Sequence, residues 1–173
     1  PVVRDYLTNN RGVESPSAAL VKCVMCVGAK TLFPGQYYHF MEIPNERPNN
    51  VEGHGHVNVK ESLEPTDGKM SFVEMSFSAT GKAVTNYFDK PAGCELIVGL
   101  CWTDYPGTWG AEKALVNDLD LTVLDPDGVV YTLNDHVNNI EVLRLGSSSA
   151  GRYSVIVKAT NIMEGVQPCA VVF

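Results

Sequence analysis

The sequence is short of basic residues, of histidine and of any long apolar run. Thirteen Lys and Arg stand against twenty Asp and Glu, giving a formal charge of −7 at pH 7. Affinity for a phosphate backbone begins with clustered cations, so nucleic acid is excluded as a partner. No apolar stretch approaches the roughly 20 residues that cross a bilayer as a helix, so no membrane span is expected. The first residues carry neither a basic n-region nor an apolar leader core; if the protein is exported, its leader lies outside these residues.

Catalytic signatures are missing as well. No Gly-x-Ser-x-Gly occurs, and none of the four histidines, His39, His54, His56 and His136, stands beside a nucleophile motif. A serine nucleophile needs a histidine within hydrogen-bond reach and a carboxylate to orient it, so a self-contained hydrolytic site is not expected. Ser147-Ser148-Ser149, flanked by glycine and alanine, reads as a hairpin loop. Internal repeats and low-complexity tracts are absent too. Five cysteines, Cys23, Cys26, Cys94, Cys101 and Cys169, cannot all pair within one chain. Each sits among apolar or small residues, where a free thiol packs as a small hydrophobe, and the redox compartment stays open. Cys23-Val24-Met25-Cys26 has a redox or metal spacing but falls inside a helical run with no second Cys or His pair nearby, so buried structural thiols are expected there.

What is present is apolar and patterned. At 173 residues and 45 % hydrophobic, the chain suits one ordinary domain, or a domain and a piece of another. Ala18 to Val27 is apolar almost all round, interrupted by Lys22, and Val2, Val3, Tyr6 and Leu7 form a further apolar helical turn. Helices of this kind need neighbours on every side, yet no sheet precedes them. Ser15 as N-cap, Pro16 at the first helical position and Gly28 at the end give the second helix its start and stop.

The character changes near Leu63. A long irregular stretch from Thr31 to Asn50 leads into Gly53-His54-Gly55-His56-Val57-Asn58. After Glu64-Pro65-Thr66-Asp67-Gly68 come short alternating runs bounded by Gly, Pro, Asn and Asp, the pattern of an all-β sandwich of about eight strands, a number that suits a jelly roll. Strands are expected over 70–79, 96–102, 117–124, 129–133, 139–145, 152–160 and 168–173. Asn117 to Leu124 sets Leu119, Leu121 and Val123 on one face and Asp118, Asp120 and Thr122 on the other. Asp125-Pro126-Asp127-Gly128 then turns tightly into the next strand, making a hairpin.

Three constellations bear on function. Asp118 and Asp120 share one face of a strand, and Asn139 and Glu141 share a face of another, offering hard oxygen ligands that suit a structural calcium ion. A solvated polar face explains the same residues. Asp104, Asp125, Asp127 and Asp135 lie in adjoining loops and could serve the same ion or a second one. His54-Gly55-His56 invites a metal reading, but a third ligand is not visible, and glycines that let the backbone turn close to a neighbouring strand account for it better. Trp102, Tyr105 and Trp109 around Pro106-Gly107 suit either a sugar- or peptide-facing platform or, preferentially, an interdomain contact.

A resemblance runs through these segments. Arg4-Asp5-Tyr6-Leu7, Asn10-Arg11-Gly12, Ser15-Pro16-Ser17-Ala18-Ala19-Leu20-Val21-Lys22, Gly28-Ala29, Gly53-His54-Gly55-His56-Val57-Asn58 and Ser62-Leu63 resemble the last part of a subtilisin-like serine peptidase catalytic domain. Trp102-Thr103-Asp104-Tyr105-Pro106, Leu115-Val116-Asn117-Asp118-Leu119-Asp120-Leu121 and Asn138-Asn139-Ile140-Glu141 resemble the C-terminal jelly roll of one branch of that family. The resemblance implies a mainly β fold: a jelly-roll β-sandwich at 64–173, preceded at 1–63 by an incomplete α/β subtilisin-like segment whose helices close a missing parallel sheet. It departs from the family at His54 and His56, where a Trp and a basic or polar residue are usual, and at several small positions that are Cys. The family's triad, oxyanion-hole Asn and nucleophile segment all precede the residue that Pro1 matches, so no catalytic residue is carried over.

The function implied is that of the C-terminal portion of a serine endopeptidase, inactive alone and bracing a catalytic part supplied outside this chain. Its partner would be that catalytic part, or another protein covering the helix at 16–28, with protein as substrate once assembled. The resemblance implies a secreted, extracellular or lumenal location. The alternatives are a non-catalytic derivative of such a peptidase serving in an assembly, and a carbohydrate- or protein-binding β-sandwich.

Overall fold

The computed structural model describes residues 1–37, 42–66 and 68–173. His39 and Asp67, both named above, lie outside the described residues. Among the described residues three helices come first: α1 (Val2–Asn9), α2 (Ala18–Val27) and the single turn α3 (Val59–Leu63). Eight strands follow: β1 (Phe72–Phe77), β2 (Ala83–Lys90), β3 (Glu95–Trp102), β4 (Asp118–Leu124), β5 (Val130–Leu133), β6 (Ile140–Ser147), β7 (Gly151–Asn161) and β8 (Gln167–Val172).

The α2 run begins where its apolar residues begin, but its cap lies two positions later than expected. Ser17, not Ser15, holds the extended N-cap conformation, and its hydroxyl accepts from Leu20 N at 3.0 Å. Pro16 stays outside the helix because its carbonyl accepts from the Arg4 guanidinium, which ties the entry to α1. Gly28 closes the far end as expected, its N–H donating to Val24 O.

The strands form two four-stranded antiparallel sheets, in the orders β1-β8-β3-β6 and β2-β7-β4-β5. The result is mainly β and sandwich-like. Side chains from both inner faces, Leu96, Val98, Leu100 and Trp102 of β3 with Leu119, Leu121, Val123, Tyr153, Val155 and Val157 opposite, fill one core. The other face of the β1-β8-β3-β6 sheet carries Cys101, Ala170 and Val172, and on these pack Val3, Leu7, Leu20, Cys23 and Val24 of the helices. Burial on both faces explains why β3 reads as one continuous apolar run and not as an alternation.

This second core answers part of the question raised by the helices. Their neighbour is the sandwich itself, and Gly99 makes the approach possible. A Cβ at Gly99 would stand 2.6 Å from Val27 Cγ2 and 2.9 Å from Cys23 Sγ, so any side chain there would push α2 off the sheet. Arg144 on β6 completes the seat: its guanidinium donates to Cys26 O at 2.8 Å and Val27 O at 3.3 Å, satisfying carbonyls at the helix C-terminus.

Candidate functional site

Among the described residues, one set of metal-type donors converges. It lies at the start of β4. Asp118, Asp120 and His136 each offer a ligand atom, all within 4.8 Å of one another. Asp118 is 5 % exposed because β4 is an inner strand whose N-terminal end is covered by the β5–β6 connection. His136 Nδ1 stands 2.9 Å from Asp118 Oδ2 and 3.8 Å from Asp120 Oδ1, and Lys113 Nζ lies 3.4 Å from Asp118 Oδ2. Thr160 on β7 donates its hydroxyl to Asp120 Oδ2. Two buried oxygens, Asp118 Oδ1 and Asp120 Oδ1, have no hydrogen-bond partner among the described residues. Buried carboxylate oxygens are costly to leave unpaired, so they fit a hard cation.

Glu141 and Asn139 do not complete this set. The β6 strand starts at Ile140, so period two does not reach back to Asn139, and the two side chains part. Asn139 turns to the helix side, where its Oδ1 accepts from Lys22 Nζ at 2.6 Å. Glu141 points between the sheets and is 3 % exposed. Its carboxylate accepts from Leu121 N at 2.6 Å and from Asp135 N at 2.8 Å, pinning the β5–β6 connection to β4. Burial, with Asp120 and Asp135 nearby, pushes its pKa up to about 7 despite those two donors.

The loop carboxylates are engaged in turns or tie one loop to another. Asp104 accepts from Val116 N at 2.6 Å and Asn117 N at 2.9 Å; Asp125 accepts from Asp127 N and Val129 N in the β4–β5 turn. Asp127 accepts from the Ser149 hydroxyl, and Asp135 accepts from Val137 N and Asn138 N. Beside them Asn117, wholly buried, uses all its capacity: Nδ2 donates to Glu164 O and Gln167 Oε1, and Oδ1 accepts from Met163 N and Glu164 N.

The three aromatic residues separate. Trp102 is fully buried in the sandwich core, with Nε1 donating to Asn117 O at 3.0 Å, so it offers no surface to a second unit. Tyr105 packs over Gly165 and donates its hydroxyl to Val166 O at 3.3 Å. Trp109 alone stands out, 99 % exposed.

The His54 region is a backbone crossing. Gly55 holds φ +113°, and a Cβ there would meet Lys30 O at 2.5 Å, while Lys30 and His56 exchange both backbone hydrogen bonds. Burial, helped by Arg144, Lys22 and Arg47, lowers the His54 pKa. Arg47 donates to Ala29 O at 2.8 Å and His54 O at 3.2 Å.

The helices present the other candidate surface. At the edge of the helix–sheet core, Val21 and Met25 pack half-buried against it and, with Arg4, Ala18, Lys22 and the half-buried Cys26, line a shallow apolar groove. No helix among the described residues is long and apolar enough to cross a membrane.

Comparison with known proteins gives a distant likeness. No family model matches the chain. It is 26 % identical over 145 residues to the serine protease/ABC transporter B family protein tagA of Dictyostelium discoideum, a match covering 70 % of this chain and 8 % of that protein. It is 31 % identical over 94 residues to the tagB protein of the same description and organism, covering 45 % of this chain and 5 % of that one. The chain thus spans less than a tenth of the length of these curated relatives. Among solved structures it is similar to PliG, a periplasmic inhibitor of g-type lysozyme from Aeromonas hydrophila, at 11 % identity and a TM-score of 0.36, covering 60 % of this chain and 82 % of that one. A Sulfurospirillum deleyianum protein gives 9 % identity and a TM-score of 0.37 over 61 % of this chain and 97 % of that one.

Proposed function

We propose that this chain is the C-terminal portion of a subtilisin-like serine endopeptidase, in which the sandwich braces a catalytic unit through the outer face of α2. The observation that carries the reading is that face. The helix seats one side on the sandwich and keeps a second apolar strip, Val21, Met25 and Cys26, with Arg4 and Lys22 at its rim. Both relatives carry the name serine protease/ABC transporter B family protein and extend far beyond the matched region; the serine protease part of that name supports a peptidase unit as the occupant. The strand orders β1-β8-β3-β6 and β2-β7-β4-β5, with connections passing repeatedly between the sheets, support reading 64–173 as the family's jelly roll. Residues 1–63 then belong to the edge of the catalytic domain.

The chemistry implied is acyl transfer, with Ser, His, Asp and the oxyanion donors all supplied outside this chain. This chain's residues orient and cover. Calcium fits as a brace within the sandwich: Asp118 and Asp120 would hold it through their orphan oxygens, with His136 displaced from or sharing the site. A secreted, extracellular or lumenal location goes with this reading. The test is to isolate the natural protein and label it with a fluorophosphonate. A labelled serine in a polypeptide continuous with this chain, or bound to it, supports the proposal; a chain isolated with no labelled partner refutes it and leaves a non-catalytic derivative. Trp109, fully exposed at its loop, favours a second reading as a carbohydrate- or protein-binding sandwich. Glycan binding abolished by Trp109→Ala would support that one.

A further inference from the structure

Two thiols, one on α2 and one on β3, are buried together between helix and sheet. Cys23 and Cys101 are both 0 % exposed and belong to the same core between helix and sheet. Cys23 Sγ lies 2.9 Å from the position of a Gly99 Cβ, and residues 99 and 101 share the helix-facing side of β3. The Cys23 thiol is thus set over the strand on the side that carries Cys101, within the same buried core. Cys94 and Cys169 sit elsewhere, the latter on the opposite face of the sheet, facing the sandwich core. Cys26 lies one helical turn along, half-buried, beside the carbonyl that Arg144 holds.

We propose that Cys23 and Cys101 are an oxidation site that closes into a disulfide joining α2 to β3, stapling the N-terminal helices to the sandwich. The co-reactant is a small-molecule disulfide such as oxidised glutathione. One cysteine thiolate attacks a glutathione sulfur, breaking the glutathione S–S bond and releasing one glutathione thiolate. The second cysteine thiolate then displaces the other glutathione from the mixed disulfide, forming Cys23–Cys101. Two protein thiols are oxidised, one glutathione disulfide is reduced to two glutathione molecules, and the two thiol protons pass to the released thiolates. Burial holds the Cys23 thiol in its protonated form, so the exchange runs while the helix is displaced from the sheet and is slow once the core is closed.

The linkage does not depend on what covers the outer face of α2, so its test is separate from that of the peptidase reading. The full-length natural protein is equilibrated with reduced and oxidised glutathione at a series of ratios in sub-denaturing urea. It is then denatured, its free thiols are alkylated, and its peptides are mapped by mass spectrometry. Expected is a linked pair of peptides carrying Cys23 and Cys101, lighter by two hydrogens, while Cys26, Cys94 and Cys169 take the alkyl group. In Cys101→Ser, Cys23 becomes fully alkylated and no substitute linkage appears. Full alkylation of Cys23 and Cys101 at the most oxidising ratio overturns the proposal, as does pairing of Cys101 with Cys26. A variant too unstable to isolate leaves the wild-type peptide map to decide.

Discussion

Glu141 makes stability depend on pH in a direction opposite to that of most carboxylates. Its pKa rises from the ordinary 4.5 to about 7 in the folded protein, first because burial between the sheets disfavours the charge. The folded state therefore holds the proton more tightly than the unfolded chain. The stability so contributed is fully present below about pH 4.5 and is lost as pH rises through 7. A shift of that size corresponds to roughly 3 kcal/mol at about 1.4 kcal/mol per pH unit. Glu141→Gln keeps the side chain's size and one acceptor for Leu121 N or Asp135 N but cannot titrate. Urea unfolding of wild type and variant between pH 4.5 and 8, with chelator present, isolates the term, because His54 and the other titrating groups are common to both. The stability of wild type relative to the variant should fall by roughly 3 kcal/mol across that window. A difference flat to within about 0.5 kcal/mol, or rising with pH, would refute the reasoning.

Three further outcomes follow from the packing and the donor set. Gly99→Ala places a methyl against Val27 and Cys23 and should cost about 1–3 kcal/mol in unfolding free energy, with faster amide exchange confined to α2. Asn117→Ala strands the Met163 and Glu164 N–H groups and the Gln167 Oε1 acceptor, and should destabilise by about 3 kcal/mol or more on thermal unfolding. Millimolar calcium should raise the unfolding temperature of wild type by several degrees and leave Asp118→Asn unmoved; an equal shift in both would remove the ion from the β4 site.

Much of the sandwich was legible because period two survives wherever one face is solvated. The alternation of Leu119, Leu121 and Val123 with Asp118, Asp120 and Thr122 reappears as inward and outward faces of β4, and the Asp125 turn closes the expected hairpin. β2 escaped because it is a largely exposed strand, in which Ala83, Val84, Thr85 and Tyr87 give no apolar period. The donor set was legible in part. His136 was visible as a residue but not as a neighbour of Asp118, although the hairpin register carried the information. Leu121 pairs with Leu133, and continuing that register by three residues brings His136 opposite Asp118. Asn139 and Glu141 turn to different partners because β6 begins at Ile140, and equal spacing does not tell where a strand begins. Trp102 looked like surface next to Pro106-Gly107, yet it ends the inward series of β3. The outer-sheet seat of α2 was invisible in sequence because it depends on Gly99 and Arg144, residues far from the helix along the chain.

The claim that a peptidase unit covers the outer face of α2 is tested most directly by hydroxyl-radical footprinting of the natural protein, read by peptide mass. Met163, 72 % exposed, serves as the internal standard for an open methionine. The account predicts that Met25 oxidises far more slowly than Met163 and that its protection is lost when the natural material is dissociated from, or cut away from, its serine-reactive part. Met25 oxidised equally fast in both preparations would contradict it, leaving the groove of Val21, Met25 and Cys26 open to solvent.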